Sequence, residues 1–381
     1  MTIKLKRTKE FMNPQEHKRI IISGGGTGGH VFPAISIANA IMKLDPDADI
    51  LFVGAEGRME MEKVPAAGYK IIGLPVSGFC RRLTFKNITV LIRLVKSLFR
   101  SRTIIKEFKP DVVVGVGGYA SGPVLRQAGR LGIPTLIQEQ NSYAGVTNKL
   151  LAKKASVICV AYDGMEKYFP AGKIIKTGNP VRQTFDNINK LHQESLEYFR
   201  LKNDIPVILV LGGSLGAGTI NKSLSENLRK MISSGCQWLW QTGKHYIEEV
   251  SKIVPVNPDP KIIVQAFIDR MDYAFAAADI IISRAGAGTI SELCLVGKPA
   301  ILVPSPNVAE DHQKKNAMAL AERQAAIMIS DDQAVELLVD EAIRLVQDRE
   351  KKQLLSDNIK KMADRDADIK IAGEVLRIAQ R

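Results

Sequence analysis

The stretch that most constrains the fold is residues 283–292, Ser-Arg-Ala-Gly-Ala-Gly-Thr-Ile-Ser-Glu. The apolar run Ala278-Asp279-Ile280-Ile281-Ile282 precedes it and reads as a buried parallel strand. Residues 290–296 follow and read as the first turns of a helix that stops at Gly297. A strand, a turn of small residues and a helix start make a place for an anion. The first N–H groups of a helix have no internal partner, and the helix dipole points its positive end the same way. Gly286, Ala287 and Gly288 leave room for a phosphate to approach the backbone. Taken alone, the motif is equally a tight turn with nothing bound. It does not stand alone: three more glycine-rich turns follow apolar runs, at 24–30, 117–123 and 212–218.

Those turns sit in a regular alternation. Strands are expected at 18–23, 50–54, 111–116, 134–141 and 156–160 in the first half. The second half repeats the plan, with strands at 206–211, 238–241, 262–265, 278–282 and 300–303. Helices fall between them, one from about Pro33 to Lys43 and one from about Thr219. Strands alternating with helices predict parallel α/β sheets, and the repeated strand–Gly-Gly–helix opening predicts two similar domains. A chain of 381 residues fits two domains rather than one core. The expected division is a disordered extension at 1–18, a first domain at 19–185, a second at 186–364, and a C-terminal helix at 365–381 packing back on the first domain.

Charge narrows the partners. The net charge of +13 favours an acidic partner: nucleic acid, anionic lipid or phosphorylated substrate. No apolar run reaches bilayer-spanning length. The four cysteines are far apart and suggest neither a zinc site nor a disulfide framework. Residues 80–109 depart from a plain α/β plan, with nine basic residues against the single acid Glu107. On a helical wheel Ile88, Leu91, Ile92, Val95, Leu98 and Phe99 share one side, and Lys86, Arg93, Lys96 and Arg100 a neighbouring one. This is either a core-facing helix with a solvated basic face or a helix that meets anionic membrane lipid.

The motifs together resemble the MurG family of N-acetylglucosaminyltransferases. The resemblance is carried by the segments at 23–30, 117–123, 139–141 (Glu-Gln-Asn), 178–182 (Gly-Asn-Pro-Val-Arg), 212–217, 283–292 and 311–313 (Asp-His-Gln), in that order. It implies a GT-B fold, two Rossmann-like domains facing across a cleft. It also implies a reaction that converts lipid I to lipid II in peptidoglycan synthesis. UDP-N-acetylglucosamine (UDP-GlcNAc) would be the donor, held mainly by the second domain, and an undecaprenyl-linked muramyl-pentapeptide the acceptor. The donor site carried over by motif is Thr27, Gly28, Gly29, Asn141, Arg182, Ser214, Ile268, Ala287, Gly288, Thr289, Ile290, Ser291, Glu292 and Gln313. In it the helix start at Gly288-Thr289 and the Ser214 loop would hold the phosphates, with Arg182 beside the leaving group. Glu292 would accept from ribose hydroxyls, the Ile268 backbone would read uracil, and Asn141 and Gln313 would bond the sugar. His30 is the candidate base.

Two positions depart from the family pattern: Leu215 where many relatives carry Gln, and Gln138 where some carry His. No Asp-x-Asp pair sits beside a glycine-rich turn, so no protein-held metal is expected, with Mg2+ stimulation left open. The implied location is peripheral, on the cytoplasmic face of the cell membrane, with no nucleic-acid partner. The alternatives are another GT-B glycolipid glycosyltransferase or a UDP-sugar epimerase. A dinucleotide oxidoreductase or nucleotide sensor is a rival of another class, but the acidic residue expected after the second strand is missing at Val53-Gly54.

Overall fold

The computed structural model describes residues 17–76, 86–181, 188–213, 215–256, 258–259, 261–308 and 311–380. The expected extension at 1–18 therefore lies almost wholly outside the described residues, as do Arg182 and Ser214. The first half runs β1 (Arg19–Ser23), α1 (Gly28–Leu44), β2 (Asp49–Ala55), α2 (Glu60–Ala66), β3 (Lys70–Leu74), α3 (Lys86–Phe108), β4 (Val112–Gly115), α4 (Ser121–Arg130), β5 (Thr135–Glu139), α5 (Val146–Leu151), β6 (Val157–Val160) and β7 (Ile174–Lys176). The second half opens with α6 (His192–Phe199), β8 (Val207–Leu211), α7 (Gly218–Glu226), α8 (Leu228–Ser233), β9 (Gln237–Gln241), α9 (Ile247–Ile253), β10 (Ile262–Gln265) and α10 (Met271–Ala277). It closes with β11 (Ile280–Ser283), α11 (Ala287–Val296), β12 (Ala300–Leu302), α12 (His312–Ala321), β13 (Ile327–Met328), α13 (Ala334–Gln347), α14 (Arg349–Lys360) and α15 (Ala367–Ile378).

Two parallel sheets result, ordered β3-β2-β1-β4-β5-β6-β7 and β10-β9-β8-β11-β12-β13. Their central strands are aliphatic runs buried on both faces: Ile20 to Ile22, Val112 to Val114 and Ile280 to Ile282 are fully enclosed. In each sheet the order reverses beside the first strand, β1 against β4 and β8 against β11. Ligands of open α/β sheets bind at such reversals, beyond the carboxyl ends of the strands. The glycine-rich turns after β1, β8 and β11 stand at those two points.

Three strands, β3, β7 and β13, were not expected from the sequence, and all three lie at sheet edges. An edge strand is short and half solvated, so it carries no long apolar run; β13 has two residues and β7 three. α1 starts at Gly28, five residues before the expected Pro33, and encloses that proline. So near the helix start, the missing proline N–H forfeits only one bond, to Gly29. α11 likewise starts at Ala287 rather than 290, and ends at Gly297, whose φ of 68° is left-handed.

After α14 the chain crosses back. Ile371, Ala372, Val375 and Ile378 of α15 join one core cluster with Ile37 and Ile41 of α1. The expected wheel for 80–109 put an apolar stripe on one side of α3, and that stripe is outward. Leu91 is 55% exposed, Ile92 51%, Val95 44% and Phe99 71%. The buried side holds Val90, Ser97, Ser101, Ile104 and Ile105. Ser97 tolerates this burial because its Oγ bonds back to the Arg93 carbonyl at 2.7 Å, whereas the buried Ser101 Oγ has no hydrogen-bond partner among the described residues. Among the described residues no helix is long and apolar enough to cross a membrane.

Candidate active site

The loop after β1 is shaped by a residue far outside its own motif. Glu60, at the start of α2 and only 1% exposed, accepts from the Gly26 N–H through Oε2 and from the Ala55 N–H through Oε1, both at 2.9 Å. A Cβ at Gly25 would lie 2.1 Å from Glu60 Oε1, so only glycine lets the loop close on this carboxylate. The second glycine-rich turn locks onto the first. A Cβ at Gly118 would stand 2.2 Å from the Gly25 carbonyl oxygen, and one at Gly117 would stand 2.5 Å from Cδ2 of His30. His30 thus sits in the first turn of α1 with its ring against the Gly117 backbone and its Nδ1 3.3 Å from Thr27 Oγ1. Burial between the two loops holds its pKa below the usual 6.5, against the pull of Glu60 and a hydrogen bond to the Gly25 backbone. The imidazole is therefore neutral at neutral pH.

Facing this loop is a cavity of about 300 Å³ between the domains. Thr27, Gly28, Gly29, Met59 and Pro180 line it from the first domain; Gly213, Gln241, Phe267, Arg284, Gly288, Thr289 and Glu292 line it from the second. Two helix starts converge here. α1 begins at Gly28 and α11 at Ala287, and neither has a side-chain cap bond that would occupy its first N–H groups. Glu292 lies four residues beyond Gly288, hence on the same face of α11.

The remaining expected site residues fall around this cavity rather than on its wall. Asn141 follows β5 and is oriented by Glu139, whose Oε1 accepts from both the Asn141 N–H at 3.1 Å and its Nδ2 at 3.3 Å. The Asn141 amide is thereby fixed with its Nδ2 on Glu139. Glu139 is buried, and its other oxygen accepts from Gly145 N–H and Asn148 Nδ2, so one carboxylate shapes the whole 139–148 loop. Gln313, in the first turn of α12, accepts from the Ser305 N–H at 2.9 Å and so presents its NH2 end. Ala287 and Ile290 are buried in α11.

Two expected site residues have polar groups already engaged. The Ile268 backbone, expected to read a base, has its N–H on Gln241 Oε1 at 3.1 Å. Ser291 turns away from the cavity; its hydroxyl donates to the Ala287 carbonyl and accepts from Asn179 Nδ2, each at 3.1 Å. Ser291 points about 100° around the helix from Glu292 and lines a second cavity, with Asn179 and Ile290, rather than this one. Thr27 stands at the N-cap position of α1 but makes no cap bond, and its hydroxyl meets His30 instead.

Sequence reasoning missed Glu60, Gln241 and Arg284. Arg284 lines the cavity but is held from behind by the Val303 carbonyl at 3.0 Å and by an ion pair with Asp331. Asp331 in turn accepts from Thr219 at 2.8 Å. For Arg284 a signal existed, since it stands inside the 283–292 motif; for Glu60 none did. Of the two departures, Leu215 is 62% exposed, and Gln138 is buried with its amide on Asn179 at 3.2 Å rather than in the cavity.

Two Rossmann-like sheets facing across a cleft, with helix starts from both sides on one cavity, define the GT-B class of nucleotide-sugar enzymes. The N-terminal domain model of glycosyltransferase family 28 matches residues 20–160 and its C-terminal domain model residues 207–371. Relatives match over nearly the whole chain. A protein of Parabacteroides distasonis is 59% identical, over 95% of this chain and 99% of its own length. One of Bacteroides thetaiotaomicron is 58% identical, over 96% and 99%. Both bear the name UDP-N-acetylglucosamine–N-acetylmuramyl-(pentapeptide) pyrophosphoryl-undecaprenol N-acetylglucosamine transferase. The crystal structure of Acinetobacter baumannii MurG superposes with a TM-score of 0.71 at 27% identity, covering 94% of this chain and 99% of that one. A UDP-GlcNAc 2-epimerase from Neisseria meningitidis shares the fold at 14% identity, with a TM-score of 0.66 over 94% and 99% of the two chains. The chain belongs to the MurG family, within glycosyltransferase family 28.

Proposed function

We propose that this chain transfers N-acetylglucosamine from UDP-GlcNAc to the 4-hydroxyl of the muramyl sugar in undecaprenyl-pyrophosphoryl-N-acetylmuramyl-pentapeptide, turning lipid I into lipid II. The observation that carries this reading is the meeting of the α1 and α11 helix starts on one interdomain cavity. The donor diphosphate sits at the start of α11, where unpartnered N–H groups and the helix dipole meet its charge. Transfer is a single displacement that inverts the anomeric centre. The acceptor oxygen attacks C1, the C1–O bond to UDP breaks, and the acceptor proton passes to His30. The growing charge on UDP is met by fixed backbone dipoles in a dry cleft. On this account no protein-held metal is required, and a chelator should leave turnover within about twofold in a direct transfer assay. A GT-B epimerase is separated cheaply, since it consumes UDP-GlcNAc without any acceptor. Acceptor-dependent release of UDP supports transfer; sugar isomerisation by donor and protein alone refutes it.

The acceptor is lipid-linked, and α3 supplies a surface suited to it. Exposed Leu91, Ile92, Val95 and Phe99 run beside exposed Arg93 and Lys96. Exposed apolar groups flanked by cations fit the cytoplasmic face of an anionic membrane, with reversible attachment. Arg100 is a weaker candidate, because it pairs with Glu56 at 3.0 Å. Replacing Leu91, Val95 and Phe99 with serine is expected to abolish sedimentation with anionic vesicles. Replacing Arg93 and Lys96 with glutamate should weaken it and remove its salt sensitivity. Both variants should keep UDP binding, and wild-type sedimentation by both would move the membrane contact elsewhere.

A further inference from the structure

We infer that Asn179 is a positioning residue for the transfer, tying the donor-holding helix α11 to the first domain across the hinge. The inference rests on the reading of α11 given above. Asn179 lies in the linker three residues beyond β7 and is 3% exposed. Its Nδ2 donates to the Gln140 carbonyl, just beyond β5, and to Ser291 Oγ on α11, each at 3.1 Å. Its Oδ1 accepts from Gln138 Nε2 at 3.2 Å. Ser291 Oγ passes its own hydrogen to the carbonyl of Ala287, the first residue of α11. One carboxamide thus joins a first-domain strand, the linker and the helix turn that faces the donor cavity.

Among the described residues, few side-chain hydrogen bonds cross between the domains beside this one. The donor cavity lies on one side of this bridge, walled by Pro180, Thr289 and Glu292. A second interdomain cavity of about 690 Å³ lies on the other side, walled by Asn179, Ile290 and Ser291. α11 also approaches α1 and α15 packs on α1, so the bridge adds a directional bond at a point of the interface flanked by open space on both sides. Ser142 Oγ to Asn316 Oδ1, which also crosses between the domains, is longer at 3.5 Å, and Lys63 stands 5.6 Å over the Phe267 ring. His30 belongs to the first domain and the α11 start to the second. A bridge that sets the gap between the domains therefore sets the approach of base and acceptor to the donor carbon. Misplacement of about 1 Å at a reacting centre lowers rate by roughly two orders of magnitude.

The test is a kinetic cycle with an independent structural readout. Asn179→Ala and Ser291→Ala are each expected to lower kcat by about 10- to 100-fold, the double variant no further than either, with UDP affinity within about twofold of wild type. Ser291→Thr, which keeps the hydroxyl, should restore most of the rate. Nitroxides on Lys43→Cys and Lys244→Cys, in a Cys80→Ser background, should report one narrow interdomain distance in the parent and a broadened one with Asn179→Ala. Additive losses, a fall in UDP affinity that accounts for the rate, or unchanged kcat with an unchanged distance distribution would each overturn the inference. If the parent protein binds UDP yet transfers no sugar, the functional reading fails instead, and the distance measurement still decides the role of Asn179.

Discussion

Replacing His30 with alanine is expected to lower turnover by about two to four orders of magnitude, the usual span for a lost acid–base group. UDP affinity should stay near wild type, because the helix start and carboxylate assigned to the donor belong to α11. The reason lies in how the ring is held. Two interlocked glycine loops pack against it and leave it half-buried, and Thr27 stands against Nδ1 at the cavity edge. Burial depresses its pKa below 6.5, and this outweighs the opposing pull of Glu60. The sign of the pH effect follows. A base must be neutral, and a lowered pKa keeps it neutral further into acid. The acid limb of the kcat profile should therefore fall below pH 6.5, and it should vanish in the alanine variant. Near-normal turnover of His30→Ala at saturating acceptor would remove it from the chemistry.

The second large effect is expected at Glu292. Its alanine variant should bind UDP more weakly by roughly 1.5–3 kcal/mol, the worth of charge-assisted hydrogen bonds to a hydroxyl pair. That is about one to two orders of magnitude in Kd. The carboxylate shares a wall and a helix face with Gly288, where the diphosphate is assigned, so a ribose extending from it comes within reach. Glu292 is beyond the first turn of α11, so the helix dipole gives it little, and a purely structural carboxylate would alter stability rather than affinity. Calorimetry with UDP separates the two: unchanged affinity with a lowered Tm identifies a structural role.

Both residues stand in motifs that can be read from sequence, and so does most of the architecture. Strands buried on both faces announce themselves as aliphatic runs, and that is why β1, β4, β8 and β11 are legible. β3, β7 and β13 escape because an edge strand is specified by its neighbour as much as by its own residues. The α3 wheel shows an apolar stripe but not which side faces the core; Ser97 and Ser101 are buried while Phe99 is not. Helical periodicity finds amphipathic faces, and a second surface that wants apolar contact gives the same signal as a core.

At the site, legibility ends where the partner is distant in sequence. Gly25 reads as a phosphate-loop glycine, yet its strictest demand comes from Glu60, 35 positions along. Ser291 reads as part of a donor motif, yet its hydroxyl is committed to Asn179, 112 positions away. The 283–292 motif names the right turn, and only the packing shows that Arg284 and Glu292 face the cavity while Ser291 does not.

The central claim is transfer across the cleft from the α11 side to an acceptor on the first domain. Its most direct test is product analysis with UDP-GlcNAc labelled in the sugar and a soluble lipid I analogue, read by mass and by anomeric coupling. The expected product is the acceptor heavier by one N-acetylhexosamine, β-linked to the muramyl 4-hydroxyl, with UDP released in equal amount. A product with the α linkage, label in free sugar alone, or an isomerised UDP-sugar formed without acceptor would contradict it.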